Sequence, residues 1–158
     1  MVRRNPSRSR THQNILCLPD LTQVIHFPFL VLLYLTLRST SQKQVLPLGS
    51  DFPVERVNPI YTFYAAVSRL SIDGTSPSSS PGGWYPAEKL SRQQALKGMT
   101  LDAAYASFAE DTIGSLKVGK KADFVVYDRD IMQIPESEIL QAKVLATAVD
   151  GEVLFGAI

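Results

Sequence analysis

Apolar positions fall into three regimes along this chain. The first fourteen residues, MVRRNPSRSRTHQN, offer almost nothing to bury and read as disordered. Val24 to Leu37 is then nearly continuous in apolar residues, broken by His26 and Pro28. From Val45 onward the pattern becomes periodic. Val45–Leu48 predicts a short strand ending in the tight turn Gly49-Ser50-Asp51-Phe52-Pro53, although Pro47 cannot donate to a central ladder. Asn58-Pro59 reads as an N-cap with proline at the first helical position. Ile60, Phe63, Tyr64 and Val67 then share one helical face, in a helix expected to end near Leu70.

Ser71 to Pro86 is a Ser/Gly/Pro-rich loop of sixteen residues, either a functional lid or disordered. Its Trp84 and Tyr85 could cover a ligand or pin the loop to the core. Ser91-x-x-Gln94 is a capping box opening a helix over Arg92–Met99. Thr100 is a candidate N-cap for a second helix, Leu101–Ala109, with Asp102 placed to favour its dipole. The last fifty residues turn to β structure. Ala122–Asp128 predicts a strand, and Val144–Val149 with Glu152–Phe155 predicts a hairpin. Asp150-Gly151 there supplies the positive φ angles of a type I′ turn. The class is α/β.

Composition narrows the functions open to the chain. Its 158 residues suit one domain, or one domain with an arm, and 45% hydrophobic residues suffice for a core. A complete (β/α)8 barrel, which needs at least about 200 residues, does not fit. The formal charge is +1, but residues 1–48 carry +5 and residues 49–158 carry −4. Such asymmetry marks an arm or a junction between segments of different origin. Near-neutral overall charge argues against a nucleic-acid partner. One cysteine, Cys17, and two histidines, His12 and His26, exclude a disulfide framework and a histidine-rich metal centre.

The arm, residues 1–44, has three readings. A secretory signal is disfavoured by a long charged region containing Asp20 and by the lack of a small-residue cleavage site. A mitochondrial presequence fits the Arg/Ser-rich start, but no amphipathic helix is evident. The third reading is an irregular apolar segment. As a helix, residues 24–37 would reach about 21 Å, short of a bilayer core of about 30 Å, so the run is expected to touch a membrane at most, without crossing it. The compartment stays open, with the cytoplasm favoured.

Chemistry is sparse. Both histidines lie in the arm, so no nucleophile–base constellation forms, and phosphate-loop patterns are missing. Lys117, Lys120 and Lys121 are explained by a solvated turn. Asp51 is the one acid in a suggestive place, just past the end of a predicted strand, where barrel enzymes carry catalytic groups. A turn-forming or capping aspartate would look the same on spacing alone.

Gly49-Ser50-Asp51-Phe52-Pro53-Val54 with Asn58-Pro59 resembles the eighth-strand region of the amidohydrolase superfamily. The branch it resembles is amidohydrolase family 3, which includes N-substituted formamide deformylase-like enzymes. Leu90–Leu96, Thr100–Ala106, Gly114–Val126 and Ala146–Val153 continue the match in order, with Gly114–Val126 the most specific. The resemblance implies that residues 45–110 are the last strand and helices of a (β/α)8 barrel. Residues 111–158 would be the C-terminal strands of its β-sandwich. It also implies that Asp51 is a metal ligand and catalytic proton shuttle, in hydrolysis of a non-peptide C–N bond of a small amide-like substrate by metal-activated water.

The family's His-x-His pair, its carboxylate or lysine and its later histidines have no counterparts here. One carboxylate cannot hold a divalent ion, zinc being the expected one, because such sites use at least three protein ligands. The sequence therefore predicts that the lone chain binds no metal and turns nothing over. It is read as a C-terminal portion joined to unrelated upstream sequence, by truncation or an erroneous gene model. The alternative is a non-catalytic structural or binding module, anchored at a membrane through residues 24–37.

Overall fold

The computed structural model describes residues 15–16, 45–76 and 82–158. Expectations for residues 1–14 and 17–44, the apolar run 24–37 and both histidines included, lie outside the described residues.

Helix α1, Pro59–Ser68, starts as its sequence dictates: the Asn58 side chain accepts the Ile60 N–H at 3.1 Å and Pro59 follows the cap. Ile60, Phe63, Tyr64 and Val67 are all buried, as their spacing predicts. The helix stops two residues short of Leu70. Ala66 O, which Leu70 would need to extend the helix, instead accepts the Leu90 N–H at 3.0 Å. The Leu70 N–H turns to the buried Ser68 hydroxyl at 3.1 Å, and Arg69 closes the helix in the left-handed region at φ 58°.

Helix α2, Arg92–Met99, opens with the expected reciprocal cap. Ser91 Oγ accepts the Gln94 N–H at 3.2 Å, and the Gln94 side chain accepts the Ser91 N–H at 2.9 Å. Helix α3, Leu101–Ala106, is three residues shorter than expected. Ser107 folds its hydroxyl back onto Ala103 O and Ala104 O, both at 3.0 Å, and Phe108 turns left-handed at φ 57°. Thr100 does not act as the side-chain cap. Its hydroxyl donates to Leu96 O at 2.8 Å, completing α2 rather than starting α3.

Four antiparallel strands form one sheet in the order β1-β2-β3-β4. They are β1 (Ile15–Leu16), β2 (Phe124–Tyr127), β3 (Val144–Val149) and β4 (Glu152–Gly156). Two residues of the arm thus join the sheet, with Ile15 opposite Val126 and Leu16 opposite Val125. The β3–β4 turn has Asp150 at φ 53° and Gly151 at φ 82°, the pair of positive angles that Asp-Gly predicts. It is tied to the start of β2, where Asp123 accepts the Asp150 N–H at 2.7 Å and Ala122 O accepts the Gly151 N–H at 3.2 Å.

One core joins the helical and β parts. Ile60, Phe63, Tyr64, Val67 and Ala95 pack with Val125, Tyr127, Ile131 and Ile139, the last from a 3-10 helix, Glu136–Gln141. Arg92 adds a polar tie across this boundary, donating to Ile131 O at 2.6 Å and also to Ile134 O. β4 lies at the sheet edge with Val153, Leu154 and Phe155 exposed.

Residues 45–48 do not form the predicted strand. Pro47 has no N–H to give, and two of the other donors go to helices: Leu46 N–H to the Asp102 carboxylate at 2.9 Å and Leu48 N–H to Gly98 O at 3.0 Å. The segment is an extended strap lying on α2 and α3.

Candidate functional site

Asp51 sits where the strap ends. Its φ of 47° is left-handed, a region aspartate visits more readily than most residues because its short side chain can bond locally. The turn around it is closed by backbone alone: Asp51 O accepts the Val54 N–H at 2.8 Å and Ser50 O accepts the Glu55 N–H at 3.1 Å. Among the described residues, none hydrogen-bonds or ion-pairs with the Asp51 carboxylate. A turn-forming aspartate would spend its carboxylate on a nearby N–H. This one does not, and the group is half-exposed. A carboxylate in that position has its acceptor capacity intact for a proton or a cation.

The strap that precedes Asp51 is held by α2 and α3. Asp102, in the first turn of α3 and 5% exposed, accepts Leu46 N–H through one oxygen and Lys97 Nζ through the other. Gly98 provides clearance, since a Cβ there would stand 2.6 Å from Leu46 O and 2.8 Å from Leu48 Cγ. From its position alone Asp102 reads as a helix-dipole residue, and Gly98 has no assigned part. A glycine near the end of a helix that gains nothing from it was the available signal, because it marks close backbone approach.

The remaining candidates have structural partners. Trp84 and Tyr85 meet edge to face at 5.0 Å, and the Arg69 guanidinium lies 5.0 Å above the Trp84 ring. Arg69 Nε donates to Trp84 O at 2.9 Å, and Trp84 N–H donates to Arg69 O at 2.8 Å. The loop is therefore pinned to the end of α1 rather than to the core, with Trp84 42% exposed. Within the same loop, the Thr75 hydroxyl and then its N–H hold the Asp73 carboxyl below the usual range. Lys120 donates to Glu110 O and Ile113 O, and Lys121 pairs with Asp150 at 3.6 Å, so two of the three clustered lysines brace turns.

No three His, Cys, Asp or Glu side chains come together as a metal-binding group among the described residues. Asp51 alone falls short of the three protein ligands such centres use. The described residues therefore do not by themselves fit a divalent ion.

The profile of the Amidohydrolase family matches residues 22–155. Protein LONG AFTER FAR-RED 3 of Arabidopsis thaliana is 38% identical over 111 residues, covering 70% of this chain and 18% of that protein. N-substituted formamide deformylase of Arthrobacter pascens is 32% identical over 104 residues, covering 66% of this chain and 18% of the enzyme. Imidazolonepropionase of Shewanella baltica is 55% identical over 40 residues. An amidohydrolase structure from Thermotoga maritima MSB8 matches at TM-score 0.34 and 29% identity, over 41% of this chain and 16% of that one. The chain thus spans about a fifth of the length of the first two of these curated relatives. The family profile covers most of its residues, and the chain belongs to the amidohydrolase family.

Proposed function

We propose that this chain supplies the C-terminal part of a hydrolase acting on non-peptide carbon–nitrogen bonds, with Asp51 as its catalytic carboxylate. In this reading residues 45–110 are the closing strand and helices of the barrel, and residues 111–158 are strands of a β-sandwich. Exposed apolar side chains along β4 support the second assignment, because such an edge suits a sheet covered by more protein. The substrate class follows two relatives, one acting on N-substituted formamides and one on imidazolonepropionate.

Asp51's part is proton transfer. As water adds to the carbonyl carbon, the carboxylate takes one of its protons. As the C–N bond breaks, the carboxyl returns that proton to the departing nitrogen. The observation carrying this role is a carboxylate held in a left-handed turn with no described partner to occupy it. A metal, zinc being the favoured candidate, would require ligands beyond the described residues, so no step is assigned to it.

The test is complementation. This chain is mixed with the part of the Arthrobacter deformylase that precedes its match, and amine release from an N-alkylformamide is followed. Turnover should appear with the wild-type chain and fall by about a thousandfold in Asp51→Asn, the scale of a lost general acid–base group. Equal turnover by Asp51→Asn overturns the role.

A second reading, a non-catalytic binding module, is favoured by the same apolar edge, where Leu154 is 64% and Phe155 58% exposed. Membrane contact through residues 24–37 belongs to this reading. Among the described residues, no helix is long and apolar enough to cross a membrane.

A further inference from the structure

We infer that Asp102 is a positioning residue for Asp51, acting through the strap 46–48; the link to catalysis rests on the role proposed for Asp51. Asp102 and Leu46 are far apart in sequence, yet the carboxylate accepts the Leu46 N–H at 2.9 Å. Its other oxygen engages Lys97 Nζ, which draws the end of α2 to the start of α3. The Asp102 side chain is 7% exposed against 45% for Lys97. The acid is thus the buried member, and the lysine neutralises it from the solvent side. This matters because a buried carboxylate persists only when its charge and lone pairs are met.

The strap cannot hold its own place. It belongs to no ladder, and Pro47 gives it no N–H at its middle. Both of its flanking donors are spent on the two helices, Leu46 on Asp102 and Leu48 on Gly98 O at 3.0 Å. Gly98 lets Leu46 O and Leu48 approach closer than any side chain would allow. Asp51 follows Leu48 by three residues, so the height and direction of its turn are set by these bonds. Asp102 touches no reacting atom in this account. It fixes where the carboxylate of Asp51 is presented.

Amide hydrogen exchange on the full chain tests this, comparing wild type, Asp102→Ala and Asp102→Asn. Asp102→Ala should lower protection of the Leu46 and Leu48 amides by about tenfold or more, the scale of a lost charge-assisted hydrogen bond, while Phe63 and Ile139 keep theirs. Asp102→Asn retains an acceptor oxygen and should keep most of the Leu46 protection. Unchanged protection in Asp102→Ala overturns the inference. So does an equal loss at Phe63 and Ile139, which would make the residue a general stabiliser.

Under the complementation assay, Asp102→Ala should lower kcat with KM little changed, and Asp102→Asn should restore most of it. An unaffected kcat overturns the link to catalysis. If Asp51→Asn keeps full turnover, the Asp51 role fails, and exchange at Leu46 still decides whether Asp102 holds the strap.

Discussion

Gly98→Ala sets two well-known effects against each other, and the structure determines which wins. Helix propensity favours the substitution by up to about 1 kcal/mol, because alanine loses less backbone entropy than glycine. The strap opposes it. A Cβ at position 98 would lie 2.6 Å from Leu46 O, 2.8 Å from Leu48 Cγ and 3.1 Å from Leu48 Cδ1. The leucine side chain can rotate away, but Leu46 O is backbone, and its own residue is bonded to Asp102. Relieving the contact means lifting the strap, which stretches the Leu46 and Leu48 bonds together. Overpacking of this kind costs about 1–3 kcal/mol, and a weakened hydrogen bond adds about 1 kcal/mol. The net effect should be a loss of about 1–3 kcal/mol. For a chain of this size that lowers the melting temperature by about 3–9 °C. Thermal and urea melts followed by circular dichroism measure it, with exchange at Leu46 reporting whether the strap moved. A melting temperature above wild type would show that propensity wins, and the strap would not then lie against α2 as described.

Two further outcomes follow from the same physical reasoning. Arg92→Lys should cost about 1–2 kcal/mol in urea melts, because a single ammonium cannot serve Ile131 O and Ile134 O with the fixed fork of a guanidinium; unchanged stability would remove Arg92 as the tie between α2 and the β part. Asp128 is subject to desolvation, which raises its pKa, but the Lys143 N–H at 2.9 Å and Arg129 outweigh this and leave it below the ordinary 3.8. A lowered folded pKa means that its stabilisation is complete above pH 3.8 and fades as pH falls through the folded value. Asp128→Asn should flatten that acid limb in melts taken across it, and an unchanged limb would refute the assignment.

What was legible in the sequence was local. The Asn58 cap, the Ser91–Gln94 box, the buried face of α1 and the Asp150-Gly151 turn each depend on residues within about one helical turn or one hairpin of each other. Each appears in the structure where the pattern put it. The misjudged features all depend on partners distant in sequence. Helix α1 ends early because Leu90 takes Ala66 O. Thr100 serves the preceding helix rather than the following one. Residues 45–48 have the composition of a strand but not its partners, so their donors turn to Asp102 and Gly98.

The same distinction governs the candidate site. Family resemblance could single out Asp51 because the residues that mark it, Gly49 to Val54 and Asn58-Pro59, are contiguous. It could not show how Asp51 is held, since that depends on Asp102 and on clearance at Gly98, both some fifty residues later. A strand ordinarily receives its alignment from neighbouring strands. Here two bonds to helices and one missing side chain perform that task for the described strap. The position of Asp51 is therefore the part of this site most exposed to changes in α2 and α3. Substitutions at Gly98 or Asp102, some fifty residues along the chain, should shift it more than substitutions in the exposed turn 52–57 that immediately follows it.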